Sequence, residues 1–168
     1  VVIFLIQGSY SKALITFTFS GLTDACDGTL ARLLNKQTKL GAYLDPIADK
    51  LLLAASYITL SILGLIPSWL TVLVISRDFI ILLGIGILSM MSVPYEVKPA
   101  FISKVTTALQ IGTIFLALLF QAVSHDFSYD WIIILCWLTG IFTIASGAIY
   151  ITRGVKFVNI ASLKEAKK

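Results

Sequence analysis

Apolar residues run along this chain in long blocks, separated by short polar stretches set too far apart for the helices of a soluble domain. The first block, Val1–Ile6, leads into the polar turn Gly8-Ser9-Tyr10-Ser11-Lys12. Further blocks cover about 13–34, 41–65, 69–91, 101–123 and 131–152. Each approaches or exceeds the roughly 20 residues that cross a bilayer as a helix. Between them lie a basic turn at Asn35–Lys39, the turn Ile66-Pro67-Ser68, a polar loop at Ser92–Pro99 and an acidic loop at Ser124–Asp130. Ser68 is placed to cap the helix that follows it. The block at about 1–7 reads as the end of a helix whose start precedes the sequence. The pattern therefore predicts an all-α, polytopic integral membrane protein with six transmembrane helices in the intact chain, the first truncated here. It forms one domain over 1–168, with a basic tail at 153–168.

Composition agrees with that pattern. The chain is 58% hydrophobic and 13% charged, with a mean hydropathy of +0.94. A soluble domain of 168 residues has too little interior to hide that much apolar surface. Two cysteines do not make a disulfide framework, and Cys26 reads as a small packing residue. The formal charge of +4 suits an anionic membrane surface or anionic substrates, and no nucleic-acid partner is expected. Lysine and arginine in the loops set the orientation. Arg32, Lys36, Lys39, Lys98, Lys104, Arg153 and the tail lysines fall on one side, and Lys12 falls on the other with His125, Asp126 and Asp130. The basic side is expected to face the cytoplasm of a bacterium or the matrix of a mitochondrion.

Charge inside the apolar pattern is concentrated in one place. Four of the nine acidic residues, Asp24, Asp27, Asp45 and Asp49, fall within 26 positions. Asp24 and Asp27 are i, i+3 and Asp45 and Asp49 are i, i+4, so each pair shares a helix face. Two carboxylates from each of two helices repel one another unless some are protonated or hard divalent cations are bound. Gly28 and Gly41 permit close approach of backbone or ligand, and Arg32 offers a planar fork to a phosphate. Such a set suits the handling of a pyrophosphate. The plainer reading is a group of charged residues marking helix ends at a membrane edge. A divalent-cation or proton-coupled transporter is the alternative from another class, but it predicts acids spread along the membrane depth. Here, beyond the cluster, only Asp78 lies within a later block.

The full pattern, D-x2-D-G-x2-A-R-x8-G-x3-D-x3-D from Asp24 to Asp49, resembles the signature of the CDP-alcohol phosphatidyltransferases. The resemblance implies transfer of a phosphatidyl group from CDP-diacylglycerol to an alcohol, with release of CMP. It also implies that Asp24, Asp27, Asp45 and Asp49 hold two divalent cations, Mg2+ or Mn2+, and that Asp49 acts as the catalytic base. Gly28, Ala31, Arg32, Thr38 and Gly41 would serve the nucleotide, and a homodimer is implied. Arg77 and Asp78 sit within the fourth block, where charge is costly, either as an ion pair between helices or with Arg77 holding a substrate phosphate. Lys104 and Arg153 read as interfacial anchors or as part of an anion pocket with Arg77, and Lys50 as a side chain that snorkels to the surface. The segments Ile75-Ser-Arg77-Asp78 and Phe101–Gln110 look like their counterparts in eukaryotic-type cardiolipin synthases. The favoured acceptor is therefore phosphatidylglycerol, giving cardiolipin. The alternative is glycerol 3-phosphate, as in phosphatidylglycerophosphate synthases.

Overall fold

The computed structural model describes the backbone of residues 1–33, 39–90, 101–123 and 130–165, and side chains over 1–23, 48–84, 101–123, 130–152 and 154. Every element in these residues is an α-helix: α1 Val2–Ile6, α2 Tyr10–Leu33, α3 Lys39–Ile62, α4 Ser68–Met90, α5 Phe101–Val123 and α6 Asp130–Glu165. The boundaries fall within three residues of the expected blocks, except at the end of α6. There the helix continues from Thr152 to Glu165, through residues expected only as a basic tail. No proline interrupts that stretch, and Lys, Ala, Leu and Glu are good helix formers. Thirteen more residues add about 20 Å of helix, so α6 outruns the hydrocarbon core it crosses.

Two helix ends have defined chemistry. At the end of α3, Gly64 takes φ +71°. Its N–H donates to the Ser61 carbonyl at 3.0 Å, while the N–H of Leu65 reaches back to the Leu60 carbonyl at 2.9 Å. This is the paired bonding of a Schellman stop, which requires a left-handed residue where glycine sits. Gly8, at φ +69°, closes α1 in the same way, with bonds from Gly8 to Leu5 and from Ser9 to Phe4. Ser68 departs from expectation. It is already the first residue of α4, and its hydroxyl accepts a bond from Ser61 Oγ at 3.0 Å, fastening the start of α4 to the end of α3 instead of serving as a cap.

The helices pack around α6 and α5. Both α4 and α5 run along α6, α2 runs along α5, and α3 lies against α4 and, less extensively, α5. The apolar core includes Phe17 of α2, Leu53, Tyr57 and Leu60 of α3, Leu70 and Val74 of α4, Ile114 and Leu118 of α5, and Cys136 of α6. Many large apolar side chains face outward, among them Phe19, Ile62, Phe79, Phe101 and Ile141, as a lipid-facing surface requires. Within the described residues, Phe101–Val123 and Asp130–Thr152 have the length and hydropathy to cross a bilayer. The protein is an all-helical membrane protein.

A polar seam runs through this apolar packing. Thr106, Gln110 and Thr113 of α5 are buried, as are Thr139, Thr143 and Ser146 of α6. Thr113 and Thr139 share a bond of 2.9 Å, and Thr106 Oγ1 reaches the Phe142 carbonyl at 3.1 Å. Tyr57 Oη donates to the Gln110 carbonyl at 3.1 Å, which ties α3 to the same seam. Small hydroxyl residues allow close helix approach and replace the missing hydrophobic drive between helices in lipid.

Candidate active site

The carboxylate pattern is divided between two consecutive helices. Asp24, Asp27, Gly28, Ala31 and Arg32 lie in the last part of α2, and Gly41, Asp45 and Asp49 in the first half of α3. Thr38 lies outside the described residues, as do the side chains of all these residues except Asp49. Asp49 is exposed and stands on the wall of a groove of about 780 Å³. Phe17, Thr18, Gly21 and Leu22 of α2, Leu52 and Leu53 of α3, and Thr107, Ala108, Ile111, Gly112 and Phe115 of α5 line it as well. Asp49 is the one charged group among the described lining residues. The spacing that brings Phe17 and Gly21 to the groove returns along α2 at Asp24 and Gly28, and Asp45 precedes Asp49 by one turn of α3. From Thr107 to Phe115 the groove follows α5 for about 12 Å.

Two glycines keep the groove open. A Cβ added at Gly21 or Gly112 meets nothing within 4 Å. Glycine in a helix interior costs about 1 kcal/mol relative to alanine, so these positions forgo stability in favour of space. The groove has no contiguous motif in the sequence. Its signal was the run of small residues Ala108 and Gly112, one turn apart on α5, together with Gly21 on the register of Asp24.

Beside the groove, four helices meet in a buried charged network. Lys50 Nζ of α3 lies 2.6 Å from Asp78 Oδ1 of α4, and Arg77 Nη1 donates to the same oxygen at 2.6 Å. Arg77 Nη2 donates to Ser103 Oγ of α5 at 2.5 Å and to Ser146 Oγ of α6 at 3.1 Å. The guanidinium also lies 6.0 Å from the ring centroid of Tyr150, within range of a cation–π contact. Arg77 is 4% exposed, and its Nε has no partner among the described residues. The Asp78 carboxylate balances the guanidinium charge midway along α4, and Arg77 also bonds Ser103 of α5. That bond puts the guanidinium level with the first turn of α5, at the end of the bundle that carries the motif. Lys50, expected to snorkel outward, instead turns inward to Asp78. Lys104 of α5 is exposed, and Arg153 lies on α6 just past Thr152. His125 and the loop around it fall outside the described residues.

A set of four carboxylates, all oxygen donors, fits hard divalent cations and suits soft metals poorly. The donor chemistry therefore accommodates the metals that the sequence pattern implies.

Comparison with known proteins places the chain in a family. Residues 1–145 match the family model described as CDP-alcohol phosphatidyltransferase, a family that in general uses divalent cations. The chain is 33% identical over 172 residues to the human cardiolipin synthase (CMP-forming), covering 93% of this chain and 57% of that protein. It is 32% identical over 167 residues to a probable cardiolipin synthase (CMP-forming) of Drosophila melanogaster, covering 88% of this chain and 50% of that protein. With the Bacillus subtilis CDP-diacylglycerol–glycerol-3-phosphate 3-phosphatidyltransferase it shares 34% identity over 140 residues, 83% of this chain and 71% of that enzyme. The chain thus spans about half the length of the animal relatives and more of the bacterial one. With a family match over most of its length and the complete carboxylate pattern on α2 and α3, the chain belongs to the CDP-alcohol phosphatidyltransferase family.

Proposed function

We propose that this protein transfers the phosphatidyl group of CDP-diacylglycerol to the hydroxyl of phosphatidylglycerol, forming cardiolipin and releasing CMP. The observation that carries this reading is Asp49, the last carboxylate of the motif, standing on the wall of a groove between α2, α3 and α5 whose other described lining residues are uncharged. A donor with two acyl chains and a pyrophosphate needs such a junction of charged site and apolar channel. The membrane-embedded fold and the names of the human and Drosophila relatives support the same reading.

In this reading Asp24, Asp27, Asp45 and Asp49 hold two divalent cations, Mg2+ or Mn2+. When bound, the cations neutralise the donor pyrophosphate and the charge left on departing CMP. Gly28, Ala31, Arg32, Thr38 and Gly41 receive the cytidine nucleotide. Asp49 takes the proton of the acceptor hydroxyl as that oxygen attacks the lipid-bearing phosphorus. The new O–P bond forms as the bond from that phosphorus to the CMP phosphate oxygen breaks. Lys104, Arg153 and Arg77 attract the acceptor phosphate. The site faces the cytoplasm or matrix, and the enzyme works as a homodimer.

Glycerol 3-phosphate is the second reading, favoured by one observation: the match to the Bacillus subtilis enzyme covers 71% of that protein. Both acceptors carry a phosphate and a free hydroxyl, so the chemistry is common to both. The test is CMP release by the full-length protein purified in detergent, supplied with CDP-diacylglycerol, Mg2+ or Mn2+, and either acceptor. Release with phosphatidylglycerol alone, abolished in Asp49→Ala, is expected. Release with glycerol 3-phosphate alone moves the assignment to the second reading. Folded protein that releases no CMP with these or other alcohols overturns the enzyme reading.

A further inference from the structure

We infer that Asp78 is a positioning residue, which acts through Lys50 to fix the rotation of α3 and so the presentation of Asp49. The inference rests on the phosphatidyltransferase reading and adds a residue to its machinery. Asp49 and Lys50 are neighbours in sequence, and an α-helix turns about 100° per residue. Asp49 therefore faces the groove shared with α2 and α5, while Lys50 faces α4. Any rotation of α3 about its axis moves both.

Below this level the face of α3 that carries Lys50 is locked by packing. Leu53, Tyr57 and Leu60 follow Lys50 at helical spacing, and all three are buried. Tyr57 adds a bond to α5 through the Gln110 carbonyl, and its own carbonyl accepts from Thr71 of α4 at 3.3 Å. At the level of Asp49 the packing gives way to the groove. There the Lys50–Asp78 pair, at 2.6 Å, bonds α3 to α4. Asp78 is a suitable post because it is itself held. Arg77 shares its Oδ1, and Arg77 is anchored to α5 and α6 through Ser103 and Ser146. A chain of side chains thus runs from the residue beside Asp49 through α4 into α5 and α6.

Transition-state geometry is sensitive to shifts of this kind. A misplacement of about 1 Å can cost on the order of 100-fold in rate. Release of α3 here affects the chemical step while the donor groove, built mostly from apolar contacts, stays formed. Lys50→Met, Asp78→Asn, the double variant and Asp78→Glu are compared with the wild type for CMP release, with kcat and KM for CDP-diacylglycerol measured separately and a thermal midpoint taken in detergent. Lys50→Met and Asp78→Asn are each expected to lower kcat about tenfold or more with KM within about threefold. The double variant should be no slower than the slower single variant, because both remove one coupled contact, and Asp78→Glu should keep most of the activity.

Wild-type kcat in Lys50→Met overturns the inference, as do losses that multiply in the double variant. Should Asp78→Asn fail to fold because Arg77 loses its counter-ion, Lys50→Met decides alone, since it leaves the Arg77–Asp78 pair intact. Folded wild-type protein that releases no CMP overturns the phosphatidyltransferase reading first and this inference with it. That result differs from active wild type with an unaffected Lys50→Met.

Discussion

Single residues show how polar groups are accommodated in this apolar chain. Thr113 Oγ1 donates to the Leu109 carbonyl at 2.8 Å, so its bond with Thr139 is donated from Thr139. Thr139→Val keeps the shape of the side chain and removes that donor, leaving the Thr113 hydroxyl with its carbonyl partner. Interhelical bonds of this kind in membrane proteins average about 0.6 kcal/mol and reach about 1.7. Thr139→Val is therefore expected to destabilise the bundle by about that average, read from denaturant unfolding in mixed micelles. A loss well beyond the upper figure would mean that the seam acts as one cooperative network. At this scale the sequence was partly legible. Arg77 and Asp78 stood out because charge is rare in apolar blocks, and their adjacency suggested a pair. Lys50 did not stand out, because a lysine near a helix end has a surface to snorkel to, and only tertiary packing shows that α4 offers it a carboxylate.

At the scale of elements, helix ends were more legible than helix extents. Gly8 follows the first apolar block and Gly64 falls just inside the end of the third, and both close helices in the left-handed conformation. Gly64→Ala forces a Cβ into that conformation at a cost of about 1–2 kcal/mol, although nothing crowds the position. Gly84→Ala serves as the contrast. It lies inside α4, has open space around it, and should be neutral or slightly stabilising through helix propensity. Thermal unfolding in detergent should therefore show a lower midpoint for Gly64→Ala and an equal or slightly higher one for Gly84→Ala, and a neutral Gly64→Ala would show that the α3 stop does not depend on its glycine. The helical continuation of α6 to Glu165 was not legible in the same way. Its residues are polar enough to leave the membrane pattern, and there backbone propensity instead of hydrophobic patterning carries the helix.

At the scale of the molecule, the carboxylate motif was legible because its identities and gaps lie in one continuous stretch of sequence. The groove beside it was not, because its three walls come from residues as far apart as Phe17 and Phe115. Its proposed role as an acyl-chain channel makes a prediction that separates binding from folding. Gly112 lies within α5 with open space toward the groove, so Gly112→Leu should fold at least as well as the wild type while filling part of the channel. A leucine there displaces about two to three methylenes of a bound chain. At about 0.8 kcal/mol for each buried methylene, binding of a long-chain donor weakens by roughly 15- to 60-fold. The substitution should therefore raise KM for dioleoyl CDP-diacylglycerol by about that factor. A dibutanoyl analogue, with too little chain to fill the groove, should be handled within about threefold of the wild type. Equal losses on both donors would mean that the leucine disturbs the site around Asp49 instead of the channel. No loss on either would mean that the acyl chains take another path out of the protein, and the groove would then need a different occupant.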